Sequence, residues 1–279
     1  MKPNDPLSKF LKFEDNLARY DGYLDNILTG RKKKIVSNLI DDTTRIGIEV
    51  EVERVFRNSG ILPIVPDVSL WRNVEDGSLR NDGREFVSLP IKGDQIILAL
   101  DILNETLTKE KTCIGHEFTD RTSVHVHVNI RDLTAEQLMT FIISYVLVEP
   151  LLYEVSGRER GKGVFCVPIT ESSLQNLLGA TFSRFEQGSD KFLYSLQSWQ
   201  KYTGFNLAPI FNYGTIEFRH LYGTKDATTI IKWINLIFSI KRFAMNQSYT
   251  KLKQRVLDIN TTSEYRYLIQ EIFGELSKE

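Results

Sequence analysis

The sequence predicts an α+β fold, a sheet with helices packed on its apolar face and its polar face left open. Two observations predict it. Several segments alternate apolar and polar residues, so each strand has one face to bury and one to leave wet. Helical stretches or long excursions separate those segments, which places covering helices between the strands.

Residues 5–28 read as an amphipathic helix, with Leu7, Phe10, Leu11, Leu17, Tyr20, Leu24, Ile27 and Leu28 at helical spacing and Gly30 as a stop. The run Arg31-Lys32-Lys33-Lys34 reads as a solvated connector. From Arg45 the period becomes two: Ile46, Ile48, Val50 and Val52 alternate with Gly47, Glu49, Glu51 and Glu53. Asp76-Gly77-Ser78 signals a turn, and residues 85–90 read as a short strand ending at Pro90. A helix is expected over 94–110. Residues 123–130 alternate again, Val124, Val126 and Val128 against Ser123, His125, His127 and Asn129. A long helix over 134–156 follows, with Thr134 as N-cap. Then come a basic glycine-rich loop at 157–163 and an irregular helical stretch over 171–201. Residues 203–209 and 214–221 are expected to pair as a hairpin, and helices over 226–246 and 263–276 close the chain. Trp71 and Trp233 are expected in the core.

Bulk properties exclude several classes. A chain of 279 residues with 42% hydrophobic and 25% charged residues buries a core and is not predominantly disordered. A net charge of −1 gives no global basic field to attract nucleic acid or an anionic membrane. Cys113 and Cys166 are far apart and form no CxxC motif, so neither a disulfide framework nor a cysteine zinc site is expected. The opening MKPNDPLSKF lacks the apolar core of a signal peptide. The most apolar helical stretch, 138–155, carries Glu149, Pro150 and Glu154, which argues against a membrane span. A reducing cytoplasm is the expected location.

Side chains two apart on a strand point the same way, with Cα atoms roughly 6.5 Å apart. Glu49, Glu51 and Glu53 therefore form an acidic stripe that must sit in water, raise a pKa or share cations. Hard oxygen donors of this kind suit magnesium or manganese. His125 and His127 have the same spacing, and Glu217 and Arg219 add a carboxylate with a permanent cation two residues on. Each signal alone has an ordinary reading: a solvated sheet face, structural histidines, a cross-strand ion pair. Together they describe one polar face carrying acids, imidazoles and a guanidinium, which suits a divalent-cation and phosphate site. No P-loop or Rossmann glycine pattern is present, so nucleotide phosphates would be met by metals and basic side chains.

The runs GIEVEVE (47–53), WRNVEDGSLRNDGREFVSLP (71–90), SVHVHVN (123–129) and KYTGFNLAPI through NYGTIEFRHLYGT (201–224) resemble, in order, the amidoligase family of the carboxylate–amine ligase superfamily, alongside glutamine synthetase and glutamate–cysteine ligase. The resemblance spans about residues 45–240. It implies a glutamine synthetase-like catalytic domain, an antiparallel sheet with an open, concave catalytic face, together with ATP and magnesium (manganese as an alternative), and amide or peptide bond formation through an acyl-phosphate. It implies metal ligation by Glu49, Glu51, Glu85 and Glu217, with less weight on Glu53. His125 and His127 would both line the pocket, and which of them meets metal stays open. Arg219 would act on the γ-phosphate. Ser78, Asn129 and Asn206 are expected near substrate or ATP, and Asp76 is a candidate base for the amine. Arg158, Arg160 and Lys162 would close on phosphates, or be an ordinary surface loop. The implied organisation is an N-terminal helical extension (1–44), an amidoligase-like domain (45–248) and C-terminal helices (249–279) packed on it. Small-molecule or peptide carboxylates and amines are the implied partners, with a homo-oligomer also open. A phosphotransferase on the same sheet and a non-catalytic nucleotide-binding protein remain alternatives.

Overall fold

A computed structural model of the chain describes residues 5, 7, 44–55, 70–108, 117–171, 173–274 and 276. The expected helix over 5–28, apart from Asp5 and Leu7, and the basic run 31–34 lie outside the described residues. The fold is α+β, with an antiparallel sheet and eight α-helices among the described residues. The chain divides into two compact units. One comprises residues 14–128 and 218–233, the other residues 1–13, 129–217 and 234–279.

The first unit is built around β1 (Arg45–Val52). It pairs antiparallel with β3 (Arg84–Ser88) on one side and β5 (Ser123–Asn129) on the other, while β2 (Trp71–Glu75) flanks β3 and the short β4 (Ile91–Lys92) joins the start of β1. Residues 218–222 of β7 (Thr215–Tyr222) follow β5. The alternation seen in sequence has the expected result on one face: Ile46, Ile48, Val50, Val52, Phe86, Val124, Val126 and Val128 are all buried. Trp71 is also buried, and its indole N–H donates to the Ala99 carbonyl of α1 (Ile96–Thr108) at 3.0 Å, tying the sheet edge to that helix. His220 lies 5.5 Å from the Trp233 ring, between centroids, so the apolar side carries one imidazole as well.

The second unit centres on α2 (Ala135–Ser156). Thr134 and Gln137 form a reciprocal capping box at its start, as the N-cap residue predicted. The Asp5 carboxylate accepts from the Ala135 N–H at 3.1 Å, satisfying one more of the free donors at that end. α2 is long and apolar enough to cross a membrane by length and composition, and 61% of its most apolar window is buried within the protein. Glu149 is buried inside it and accepts from Tyr145 Oη at 2.7 Å and Ile169 N at 2.8 Å, which satisfies its charge.

Two helices, α3 (Leu174–Glu186) and α4 (Lys191–Gln197), occupy the stretch expected to be irregular. The expected pairing of 203–209 with 214–221 is present in part: β6 (Phe205–Asn206) is hydrogen-bonded to β7, but the first arm is two residues long, and Pro209, with its φ already helical, starts the single turn α5 (Pro209–Tyr213). Gly214, at φ 64°, ends that turn in the left-handed region before β7 begins. The chain closes with α6 (Ala227–Met245), which contributes to both units, then α7 (Tyr249–Leu257) and α8 (Thr262–Phe273).

Candidate metal centre

The register of the sheet decides which polar side chains meet. Glu51 stands opposite Glu85 on β3, Glu49 opposite His125, and Gly47 opposite His127 on β5. Side chains directly opposite on one face approach within about 5 Å. Glu49 Oε2 lies 3.0 Å from His125 Nδ1, and Glu49 Oε1 lies 3.1 Å from His127 Nε2. Glu49 thus bridges both imidazoles. Gly47 makes this possible: a Cβ there would stand 3.3 Å from His127 Cβ, crowding the ring that leans toward Glu49. At the far end, Ser123 Oγ donates to Glu51 Oε2 and meets His125 Nε2 at 2.7 Å. A continuous chain, Glu51–Ser123–His125–Glu49–His127, therefore crosses two strands.

Two overlapping trios result, Glu49 with Glu85 and His125, and Glu51 with Asp76 and Glu85. In each, one donor atom per residue lies within 4.8 Å of the others. Adjacent ligands of a six-coordinate magnesium stand roughly 2.9 Å apart and opposite ones roughly 4.2 Å, so the donors draw together to close on an ion. Glu85 is common to both.

The polar side is not bathed in water here. His125 is 1% exposed and Glu51 2%. Neighbouring side chains fold onto one another, and the electrostatics show the consequence. Burial alone would raise the Glu49 carboxyl, but His127 and His125 outweigh it and hold that group well below the usual carboxylate range. Glu85 stands farther from an imidazole, 4.0 Å from His125 Nδ1. Burial, then the negative charges of Glu49, Glu51 and Asp76, push it up to about 9. A proton on Glu85 therefore occupies the place where the cluster calls for positive charge. An oxygen-rich donor set with that deficit fits magnesium or manganese.

Asp76 and Ser78 follow β2, in the loop that carries the chain into β3. Ser78 N–H donates to Asp76 Oδ1 at 2.7 Å, and Ser78 O accepts from Arg121. The third acid of the β1 stripe is spent differently. Glu53 Oε1 accepts from Arg80 N at 2.7 Å and Oε2 from Thr119 Oγ1 at 3.1 Å. Sequence reasoning missed Ser123, Thr119 and Arg121. Ser123 had a signal, since it shares strand parity with His125 and His127; Thr119 and Arg121 sit in a loop with none.

The remaining expected residues divide by unit. Arg219 is 7% exposed on the sheet-unit part of β7. Glu217 and Asn206 belong to the other unit, where both are buried and Asn206 Nδ2 donates to Glu217 Oε2 at 2.7 Å. Asn129 Oδ1 accepts from Arg131 N at 3.2 Å, closing a turn after β5, and its carbonyl accepts from the buried Lys241. Arg158, Arg160 and Lys162 lie in a 3-10 turn. Lys162 is exposed and paired with Glu159 at 2.8 Å, Arg160 is half-buried, and the Arg158 side chain is outside what the structure describes.

No curated protein matches the chain closely enough to serve as a relative. A family model does match. Residues 48–241, more than half of the chain, fit the family described as "putative amidoligase enzyme". The cross-strand acids and imidazoles lie within that span, and the chain belongs to the amidoligase family.

Proposed function

We propose that the protein is an ATP-dependent carboxylate–amine ligase, of the superfamily that includes glutamine synthetase and glutamate–cysteine ligase, making an amide or peptide bond through an acyl-phosphate. The observation that carries this reading is the pair of trios sharing Glu85, half-buried, acid-rich and short of positive charge. Family membership supplies the reaction type, amide-bond formation.

In this reading Glu49, Glu51 and Glu85 hold divalent cations, with His125 or His127 as a nitrogen donor and Glu217 as a further carboxylate. Magnesium or manganese, when bound, neutralises the triphosphate and draws electron density from the γ-phosphorus. His127 and His125 fix the two Glu49 oxygens by hydrogen bonds, so the carboxylate is oriented before a cation arrives. Arg219, always protonated, meets negative charge on the phosphoryl group in transit. Ser78, Asn129, Asn206, Arg158, Arg160 and Lys162 contact substrate or nucleotide. In the overall reaction a carboxylate oxygen bonds to the γ-phosphorus as ADP leaves. The amine nitrogen then bonds to the acyl carbon as phosphate leaves, and the amine gives up a proton.

The test is an ATP-consumption screen with magnesium against pools of carboxylates and amines, with products read by mass. Free phosphate in equal amount to a new amide supports a ligase. Phosphate retained on an acceptor would overturn it in favour of a phosphotransferase, and absence of turnover with every pool would overturn both.

A further inference from the structure

The loop of residues 76–83 joins β2 to β3, and surface loops of that length are ordinarily the mobile part of a sheet. This one is tied down at three backbone positions by groups from elsewhere. The Arg121 guanidinium donates to the Ser78 carbonyl through both Nε, at 3.1 Å, and Nη2. Glu53 accepts from the Arg80 N–H, and Arg54 N donates to the Asn81 carbonyl at 3.0 Å. Asn81 and Asp82 both take the left-handed conformation, at φ 53° and 55°, which surrounding bonds must hold in place.

The groups doing the holding are themselves braced. Glu53 and Glu117 exchange two backbone hydrogen bonds of 2.9 Å each, and Arg54 pairs with the Glu117 carboxylate at 3.0 Å. Thr119 donates its hydroxyl to Glu53 and accepts from Arg121 N at 3.2 Å. The last acid of the β1 stripe, a threonine and an arginine thus form a clamp around the loop. What the clamp steadies is Ser78, whose N–H fixes Asp76 Oδ1, and Asp76 in turn lies within 4.8 Å of Glu51 and Glu85.

We infer that Asp76 is a cation ligand of the second trio and that Arg121, supported by Glu53 and Thr119, is the positioning residue that holds it there. Resting on the cation-dependent reading above, this gives Asp76 a metal-binding role in place of a base. With Oδ1 turned to the Ser78 N–H, the carboxylate keeps its other oxygen for a metal, which a loop free to swing would not deliver reliably.

Titration of the full chain with manganese, following free ion by electron paramagnetic resonance, tests it. Wild type is expected to bind one ion per trio. Asp76→Asn should weaken one of the two and leave the other unchanged. Arg121→Lys and Arg121→Ala should weaken that same ion by about 10–100-fold. The double variant Asp76→Asn with Arg121→Ala should lose no more than Asp76→Asn alone, the mark of residues acting through one another. Equal weakening of both ions, no weakening, or additive losses would overturn the positioning role. Should Arg121→Ala fail to fold, Thr119→Val removes one hydroxyl from the clamp and must show the same selective loss. A wild type that binds no manganese sinks the proposed function itself, which separates the two failures.

Discussion

Three glutamates alternate along β1 and the residue that follows it, yet the two ends of that stripe are held differently. Glu53 spends both oxygens on hydrogen bonds from Arg80 and Thr119, so its charge is consumed by architecture. Glu49 and Glu51 lie four and two residues earlier, among Glu85 and Asp76, where acids outnumber cations. The same residue type at the same spacing is thus tied down by hydrogen-bond donors at one end and crowded by other acids at the other. The difference comes from the opposing segments: the β2–β3 loop offers Glu53 an N–H and the segment before β5 a hydroxyl, while strands bearing acids and imidazoles face the others.

The largest expected effect follows from the reactive end. Glu51→Gln keeps the shape of the side chain and removes one clustered charge, so the thermal melt of the metal-free protein should stay near that of wild type. Losing several kcal/mol of transition-state stabilisation, it should lower the ligation rate by about 10²–10³-fold. A variant with wild-type turnover would remove the cation role of Glu51.

The pH dependence sharpens the same contrast. The folded protein keeps a proton on Glu85 up to about 9, whereas the unfolded chain loses it near the ordinary glutamate value of 4.5. Between those values the native state binds more protons, so this group lowers stability as pH rises across the window. Glu85→Gln cannot lose a proton and should flatten that slope in denaturant titrations of the metal-free protein between those two values, while abolishing manganese binding at that position. In wild type, manganese binding near neutral pH should release a proton, and affinity should climb until pH nears 9. Calorimetry in buffers of different ionisation enthalpy reads that proton directly. A pH-independent affinity would mean that Glu85 is not a ligand.

At the architectural end, Glu53→Gln leaves a donor group facing donors and should cost about 1–3 kcal/mol of folding free energy, read by chemical denaturation. That ordering of the two variants, Glu53 for stability and Glu51 for rate, is what the comparison demands. The reverse ordering would break it.

Much of this contrast was legible in sequence and part of it was not. Strand parity alone grouped Glu49, Glu51, His125 and His127, because period two fixes which side chains share a face. The alternating valines and isoleucines likewise set the buried side. Parity is silent about register, however. Nothing in the chain's local pattern says that Glu51 faces Glu85 while Glu53 runs past the end of β3 into a loop. The clamp was hidden for the same reason. Thr119 and Arg121 lie in a segment without periodicity, and their meeting with Glu53 joins parts of the chain far apart in sequence. The β6–β7 pairing was legible, but the Pro209 turn was missed by reading the first arm as extended through Pro209 when proline favoured a helical start.

The smallest predicted effect tests how finely the reactive end is built. Gly47 has an ordinary strand role, and nothing about its backbone requires glycine. Its Cβ position, however, would lie 3.3 Å from His127 Cβ, tighter than most such contacts. Gly47→Ala must therefore displace either the β1 backbone or the imidazole, at a cost of about 1 kcal/mol or somewhat more, typical of slight overpacking. Because the close atom is His127 Cβ, which the β5 backbone carries, the imidazole is shifted with it. The variant should lengthen the His127–Glu49 hydrogen bond, release Glu49 from part of the influence that holds it deprotonated, and raise its apparent pKa in a carboxylate NMR titration. An alanine variant with an unchanged Glu49 titration would show that the imidazole has room to spare and that glycine at this position is incidental.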